Sequence, residues 1–305
     1  QASAGIRIAW NERYAHALPE GHRFPMAKYA LIPEQLVYEG TFPISAFFEP
    51  VALSDEQVVR VHCPEYWERL KGLRLSRAEE RRTGFPVTEA LVARELDIVG
   101  GTLQCARYAL GGGGVALNVA GGTHHAFRGR GEGFCLLNDL ALTAQLLLDE
   151  QLVGQILVID LDVHQGNGTA ALCADNPRVF TFSMHGASNY PLHKERSDLD
   201  IALPDGCNDV AYLAELRRHL PALLDAVEPD LVLYQCGVDV LATDKLGRLG
   251  LTRAGCRERD REVLERCHRN GIPVACTLGG GYSPEIRHIV DAHVEAFRIA
   301  AELWG

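Results

Sequence analysis

The sequence predicts an α/β protein: a single three-layer α/β/α domain over residues 1–305 with a central, mainly parallel sheet. Three observations predict it. From Val115 onward, short runs rich in Val, Ile and Leu alternate with longer stretches of helical apolar spacing, the rhythm of a parallel sheet covered on both faces. No stretch has the composition of a disordered linker and none repeats another, so nothing divides the chain. Four of the apolar runs end in glycine-rich or polar clusters, and in such sheets the carboxyl ends of the strands are where loops converge side chains.

Taken in order, Ile6–Trp10 is a short strand candidate, and Pro33–Tyr38 is helix-like. Phe42, Pro43, Phe47, Phe48 and Pro50 mark a loop leading to Ser54-Asp55-Glu56, where a serine or aspartate can cap a helix over Val58 and Val59. Arg77–Arg82 is a charge cluster, read as a solvated face. Thr88–Leu110 has helical spacing and stops at Gly111–Gly114, since four glycines cannot continue a helix. Strands follow at Val115–Val119, Ile156–Leu161, Val179–Met184, Leu231–Cys236 and Val274–Leu278. Helices fall at Leu136–Leu148, Val210–Val227 and Thr252–Asn270. Ser283-Pro284-Glu285 supplies a cap, a first-turn proline and an acidic first turn for a last helix to Leu303.

Composition excludes several classes. A net charge of −10 speaks against nucleic acid as a direct partner, because phosphate binding needs a basic face. It weakly favours cationic substrates through long-range attraction. No apolar run is long enough to cross a bilayer and no signal-like N-terminus is evident, so no membrane partner and a cytoplasmic location are expected. The nine cysteines are scattered and never spaced Cys-x-x-Cys, which argues against a disulfide framework or a cysteine zinc ribbon.

The chemistry gathers around Asp160-Leu161-Asp162-Val163-His164-Gln165-Gly166-Asn167-Gly168, directly after an apolar run. Asp162 and His164, two apart on an extended chain, point the same way and can share one cation. A carboxylate beside an imidazole suits zinc or a similar first-row divalent ion. Alone, such a pair more often caps a helix. The other strand ends add Gly121-Gly122-Thr123-His124-His125 with Gly131-Glu132-Gly133-Phe134, then Gly237, Asp239 and Asp244, then Gly279-Gly280-Gly281-Tyr282. On one sheet edge, Asp162, His164 and Asp239 make a three-ligand set with an open position, the pattern of a catalytic ion. His124 and His125 offer a proton acceptor, and Tyr282 a donor to a developing oxyanion. Each of these has a structural explanation on its own; their coincidence at four strand ends does not.

Together these motifs, with Gly-Phe-Cys-x-x-Asn-Asp, Gln-Cys-Gly-Val-Asp and Leu-Gly-Gly-Gly-Tyr, resemble the zinc-dependent histone deacetylase superfamily over nearly the whole chain. His164–Gly168 and the stretch from Ser283 are most similar to the class IV branch and its bacterial relatives. The resemblance implies the arginase–deacetylase fold. It implies Zn2+ held by Asp162, His164 and Asp239, with Fe2+ an alternative. His125 would be the general base and acid, His124 its electrostatic partner oriented by Asp160, and Tyr282 the carbonyl-polarising group. Asn167 lies behind His125, where some branches carry aspartate, which makes this histidine less basic.

A structural K+ is implied at Asp160, Asp162, His164, Ser183 and Met184. Gly133 and Phe134 match a narrow tunnel for an acyl-lysine stem, with Tyr190 opposite and Leu246 at the rim; Lys28 falls where many relatives line an internal acetate-release cavity. The implied partner is an acyl-lysine protein or peptide, and hydroxamate-type zinc chelators are expected to inhibit. A small acylated amine such as an acetylpolyamine is the alternative substrate, and a weakly active acyl-lysine binding protein is a third reading. A two-manganese arginase-like site is not expected, because position 166 is glycine and Asp239 and Asp244 are too far apart in sequence.

Overall fold

The computed structural model describes residues 5–305. Among these residues eight strands form one sheet: β1 (Arg7–Ala9), β2 (Phe47–Phe48), β3 (Val115–Asn118), β4 (Ile156–Asp160), β5 (Val179–Gly186), β6 (Leu199–Leu203), β7 (Leu231–Gln235) and β8 (Val274–Thr277). Their order is β2-β1-β3-β8-β7-β4-β5-β6, and every pairing is parallel. The four strands whose ends carry the polar clusters, β3, β8, β7 and β4, are therefore adjacent. All their residues are buried, which is why they read as unbroken apolar runs.

The larger helices are α1 (Lys28–Tyr38), α2 (Asp55–Val58), α3 (Pro64–Lys71), α4 (Arg77–Thr83), α5 (Glu89–Tyr108), α6 (Asp139–Asp149), α7 (Asn167–Cys173), α8 (Asp209–Val227), α9 (Arg253–Arg269) and α10 (Ile286–Trp304). One layer runs α5-α6-α7 and the other α1-α10-α9-α8, sandwiching the sheet as the sequence predicts. No helix among the described residues is long and apolar enough to cross a membrane.

The differences from the sequence reading have local causes. Strands β2 and β6, both unpredicted, are the two edges of the sheet; β6 is half exposed, so it lacks the apolar run that marks a central strand. Helix α1 starts at Lys28 and runs through Pro33 rather than beginning there. Proline leaves the Tyr29 carbonyl without its i+4 donor, and the Trp10 indole donates to that oxygen at 2.7 Å. Helix α6 begins at Asp139, not Leu136, because Asn138 caps it by accepting from the Ala141 N–H. Helix α7 is short and built of small residues, with too little apolar pattern to be seen.

Ser283 does not cap α10. The cap position is Glu285, and the Ser283 hydroxyl instead bonds Thr243 at 2.8 Å. The cap expected at Ser54 forms, as a reciprocal box with Gln57, and Thr88 caps α5 by accepting from the Leu91 N–H.

Candidate active site

The loop after β4 holds the donors in place through its own backbone. Asp162 Oδ1 accepts from the His164 N–H at 3.0 Å, and Asp162 Oδ2 accepts from the Gly280 N–H, beyond β8, at 2.8 Å. Asp239, beyond β7, accepts from the Val163 N–H at 2.9 Å. His164 Nδ1 lies 3.1 Å from both Asp162 and Asp239. One ligand atom from each of Asp162, His164 and Asp239 falls within 4.8 Å of the others, and all three residues are buried. Two carboxylates and an imidazole, dry and convergent, are a donor set that fits a first-row divalent cation. Close approach explains one glycine here: a Cβ at Gly280 would sit 2.1 Å from Asp239 Oδ2.

The turn after β3 delivers the two histidines. Asp139 at the start of α6 accepts from the Gly122 and Thr123 N–H groups at 2.9 and 2.8 Å, bracing that turn. His124 Nδ1 is 2.6 Å from Asp160 Oδ2, and His125 Nδ1 is 2.7 Å from Asn167 Oδ1. An amide oxygen only accepts, so His125 carries its proton on Nδ1 and leaves Nε2 as a free acceptor. The Asn167 amide nitrogen donates to Glu132 Oε1 at 2.9 Å, which also accepts from the Tyr190 hydroxyl at 2.6 Å. That explains asparagine in place of aspartate: a carboxylate there would face Glu132.

Burial, reinforced by His124 and His164, holds the His125 pKa well below the usual imidazole range, so the ring is neutral. For His124 burial works against the charge, but Asp160 and Asp162 outweigh it and raise the pKa. Burial likewise opposes charge on His164, yet its bonds to Asp162 and Asp239 push it up to about 10. Burial and the neighbouring Asp162 charge raise Asp239 to about 7. Two adjacent imidazoles are thus poised oppositely, one to carry charge and one to accept a proton.

Above the floor lies an open channel of about 310 Å³, lined by Arg23, Arg82, His125, Gly133, Phe134, His164, Tyr190, Leu246 and Tyr282. It joins an inner chamber of about 40 Å³ bounded by Phe24, Tyr29, Phe134, Asp162 and Tyr282 among others. Gly133 and Phe134 form one wall, both at positive φ, with their N–H groups bonded to the Arg82 and Thr83 carbonyls at 3.0 and 2.7 Å. The glycine is required here, since a Cβ at Gly133 would lie 2.7 Å from His125 Cδ2. Tyr190 faces this wall from across the channel, its ring 5.0 Å from that of His125.

The sequence-predicted residues thus meet with few exceptions. Asp162, His164, Asp239, His124, His125 and Tyr282 share one cavity region, and Phe134, Tyr190 and Leu246 line its approach. Asp160 and Ser183 are register partners on β4 and β5, with buried Met184 next along β5. Lys28 is fully buried beside the site, but its ammonium donates to the Gly279 carbonyl at 3.1 Å and lines neither chamber. Burial lowers its pKa to about 8.

Three supporting roles are not legible in the sequence, although Asp244 itself stands in a strand-end cluster. Arg259 reads as surface charge in α9, yet is fully buried and donates to the Leu161 and Gly237 carbonyls at 3.1 and 2.6 Å, tying the loops after β4 and β7 together. Asp244 accepts from the Leu246, Gly247 and Tyr282 N–H groups at 2.7–2.8 Å, joining rim to floor. Arg82, at the end of the cluster read as a solvated face, and Thr83 just beyond it brace the channel wall. The Asn138-Asp139 pair before an apolar run was the one available signal for a bracing residue.

A histone deacetylase domain profile matches residues 22–297. The chain is 43% identical over 300 residues to an uncharacterized protein of Picosynechococcus sp., covering 98% of this chain and all of that one. It is 29% identical over 283 residues to histone deacetylase 2 of Arabidopsis thaliana, covering 90% and 73% respectively. A crystal structure of an HDAC homologue complexed with SAHA superposes with a TM-score of 0.84 at 24% identity, covering 99% of this chain and 84% of that one. The HDA15 HD domain superposes at 0.82 and 20% identity, covering 99% and 89%. With the family profile spanning most of its length over the matching arginase–deacetylase fold, the chain belongs to the histone deacetylase family.

Proposed function

We propose that the protein is a zinc-dependent amidohydrolase that removes an acetyl or similarly short acyl group from lysine side chains. The observation that carries this reading is the buried Asp162–His164–Asp239 donor set facing a neutral His125 at the foot of a channel. Zn2+ held by these three residues, or Fe2+ in its place, would supply Lewis acidity to the amide carbonyl and to water.

The chain's own groups supply the rest. The stem of the acylated lysine lies between Phe134 and Tyr190. His125 Nε2 takes a proton from the attacking water and returns it to the leaving amine, its tautomer fixed by Asn167. His124, charged against Asp160, stabilises the negative charge building nearby. The Tyr282 hydroxyl, kept protonated because burial pushes its pKa well up, donates to the carbonyl oxygen as that charge develops. Asp160 and Ser183, with main-chain oxygens of Asp162, His164 and Met184, would hold K+ beneath the loop. A hydroxamate, which chelates zinc, is expected to inhibit.

The inner chamber supports a short acyl group. Its 40 Å³ compares with about 10–15 Å³ for one water, room for an acetyl group beside the donor set. Turnover of acetyl-, butyryl-, decanoyl- and myristoyl-lysine peptides beside acetylspermidine, with zinc content determined on the same sample, tests the reading. Acetyl-lysine should be preferred. Preference for decanoyl or myristoyl would overturn the chamber argument, preference for acetylspermidine would move the activity to small amines, and zinc without any turnover would leave an acyl-lysine binding protein.

A further inference from the structure

The channel mouth carries a charge opposite to that of the molecule. The whole chain has a net charge of −10, yet among the described residues no carboxylate lines the channel, whereas Arg23 and Arg82 both do. Both are exposed. The Arg23 guanidinium sits 5.5 Å from the centroid of the Phe134 ring, on the wall that would hold the lysine stem. Arg82 lies in the last turn of α4, and its carbonyl accepts from the Gly133 N–H at 3.0 Å, so its backbone is fixed to the same wall. Among the described residues neither side chain makes an ion pair, whereas on neighbouring elements Arg69 and Arg130 are paired with Glu79 and Glu132.

We propose that Arg23 and Arg82 select acyl-lysines flanked by acidic residues, so that the substrate is an acidic peptide segment and polycationic acylated amines are excluded. The inference rests on the lysine-deacylase reading above. At physiological ionic strength fields decay within about 8 Å, so a bound substrate meets the local arginines rather than the distant net charge. The weak preference for cations suggested by overall composition is therefore reversed at the mouth. Arginine is also the cation best shaped for carboxylates, which it can engage through two parallel N–H bonds. Acylation removes the charge of the lysine itself, leaving its flanks as the charged part of the substrate. A polyamine keeps further ammonium groups, which would have to pass both guanidinium groups.

The test uses three peptides identical around one acetyl-lysine, with aspartate, serine or lysine at the flanking positions. Affinity for the zinc-loaded protein is measured by fluorescence anisotropy, and kcat/KM on the same samples. The aspartate peptide should bind best and the lysine peptide worst, with a spread of about tenfold, a few-fold for each exposed charge contact. The spread should shrink as ionic strength rises from about 0.05 M to about 0.5 M. In an Arg23→Glu, Arg82→Glu protein the order should invert, a ratio that does not depend on how much of the variant is folded. Equal affinities, or preference of the unaltered protein for the lysine peptide, would overturn the assignment. Ordered binding without hydrolysis would instead remove the hydrolase reading and leave the rim assignment standing.

Discussion

The floor and the wall of the channel are built in different ways. The floor residues, Asp162, His164, Asp239 and the His124–His125 pair, follow directly from the ends of four adjacent, fully buried strands. The wall, from Phe127 through Phe134 to Asn138, has little regular structure of its own. It is held by groups from elsewhere: Arg82 and Thr83 carbonyls, and the ring of His62, whose Nδ1 donates to the Phe127 carbonyl at 2.9 Å while Nε2 accepts from the Asn138 N–H at 3.0 Å. A rigid sheet thus places the reacting groups, and borrowed hydrogen bonds place the surface that holds the substrate. Damage to the floor should therefore appear in kcat, and damage to the wall in stability and KM.

The largest expected effect lies on the floor. Tyr282→Phe should lower kcat by about 10²–10³-fold, the usual cost of one lost oxyanion donor, with zinc content and melting temperature nearly unchanged. Undiminished turnover would remove Tyr282 from the chemistry.

Next comes the wall, through His62. Burial lowers its pKa from 6.5 to about 4, because both ring nitrogens are already committed and a second proton would displace the Asn138 N–H bond. The unfolded chain binds that proton more readily, so the stability due to His62 is fully present above pH 6.5 and is lost as pH falls through about 4. The full contribution is about 3 kcal/mol. Chemical denaturation between pH 7 and pH 4 should show this loss, and a His62→Phe protein should lack the portion due to this ring. An identical pH dependence in both would show that the wall is held by other means.

The smallest effect should come from Glu132→Gln, where floor and wall meet. The glutamine keeps an oxygen for Tyr190 or Asn167 but weakens a charge-assisted pair of bonds, a change of about 1 kcal/mol or less. A KM rise of a few-fold with little change in kcat is expected. A loss in kcat comparable to that of Tyr282→Phe would mean that Glu132 reaches His125 through Asn167 and belongs with the floor.

This contrast is also the boundary of what could be read from the sequence. Local chemistry fixed the buried strands, the helix cap at Ser54, and the polar residues that must follow strand ends, because burial on both faces and hydrogen-bonding needs at helix starts act over a few residues. Gly133 and Phe134 could be placed in the channel only through family resemblance, since their backbone partners lie some fifty positions away in α4. Tertiary structure alone decided that Arg259 is buried, that Ser283 bonds Thr243 instead of capping α10, and that Arg23 and Arg82 turn toward the mouth. A charged side chain in an amphipathic helix or loop carries the same local signature whether it faces water, a carbonyl or a substrate. Only packing, which brings distant partners together and excludes water from some and not others, sets which of these it meets.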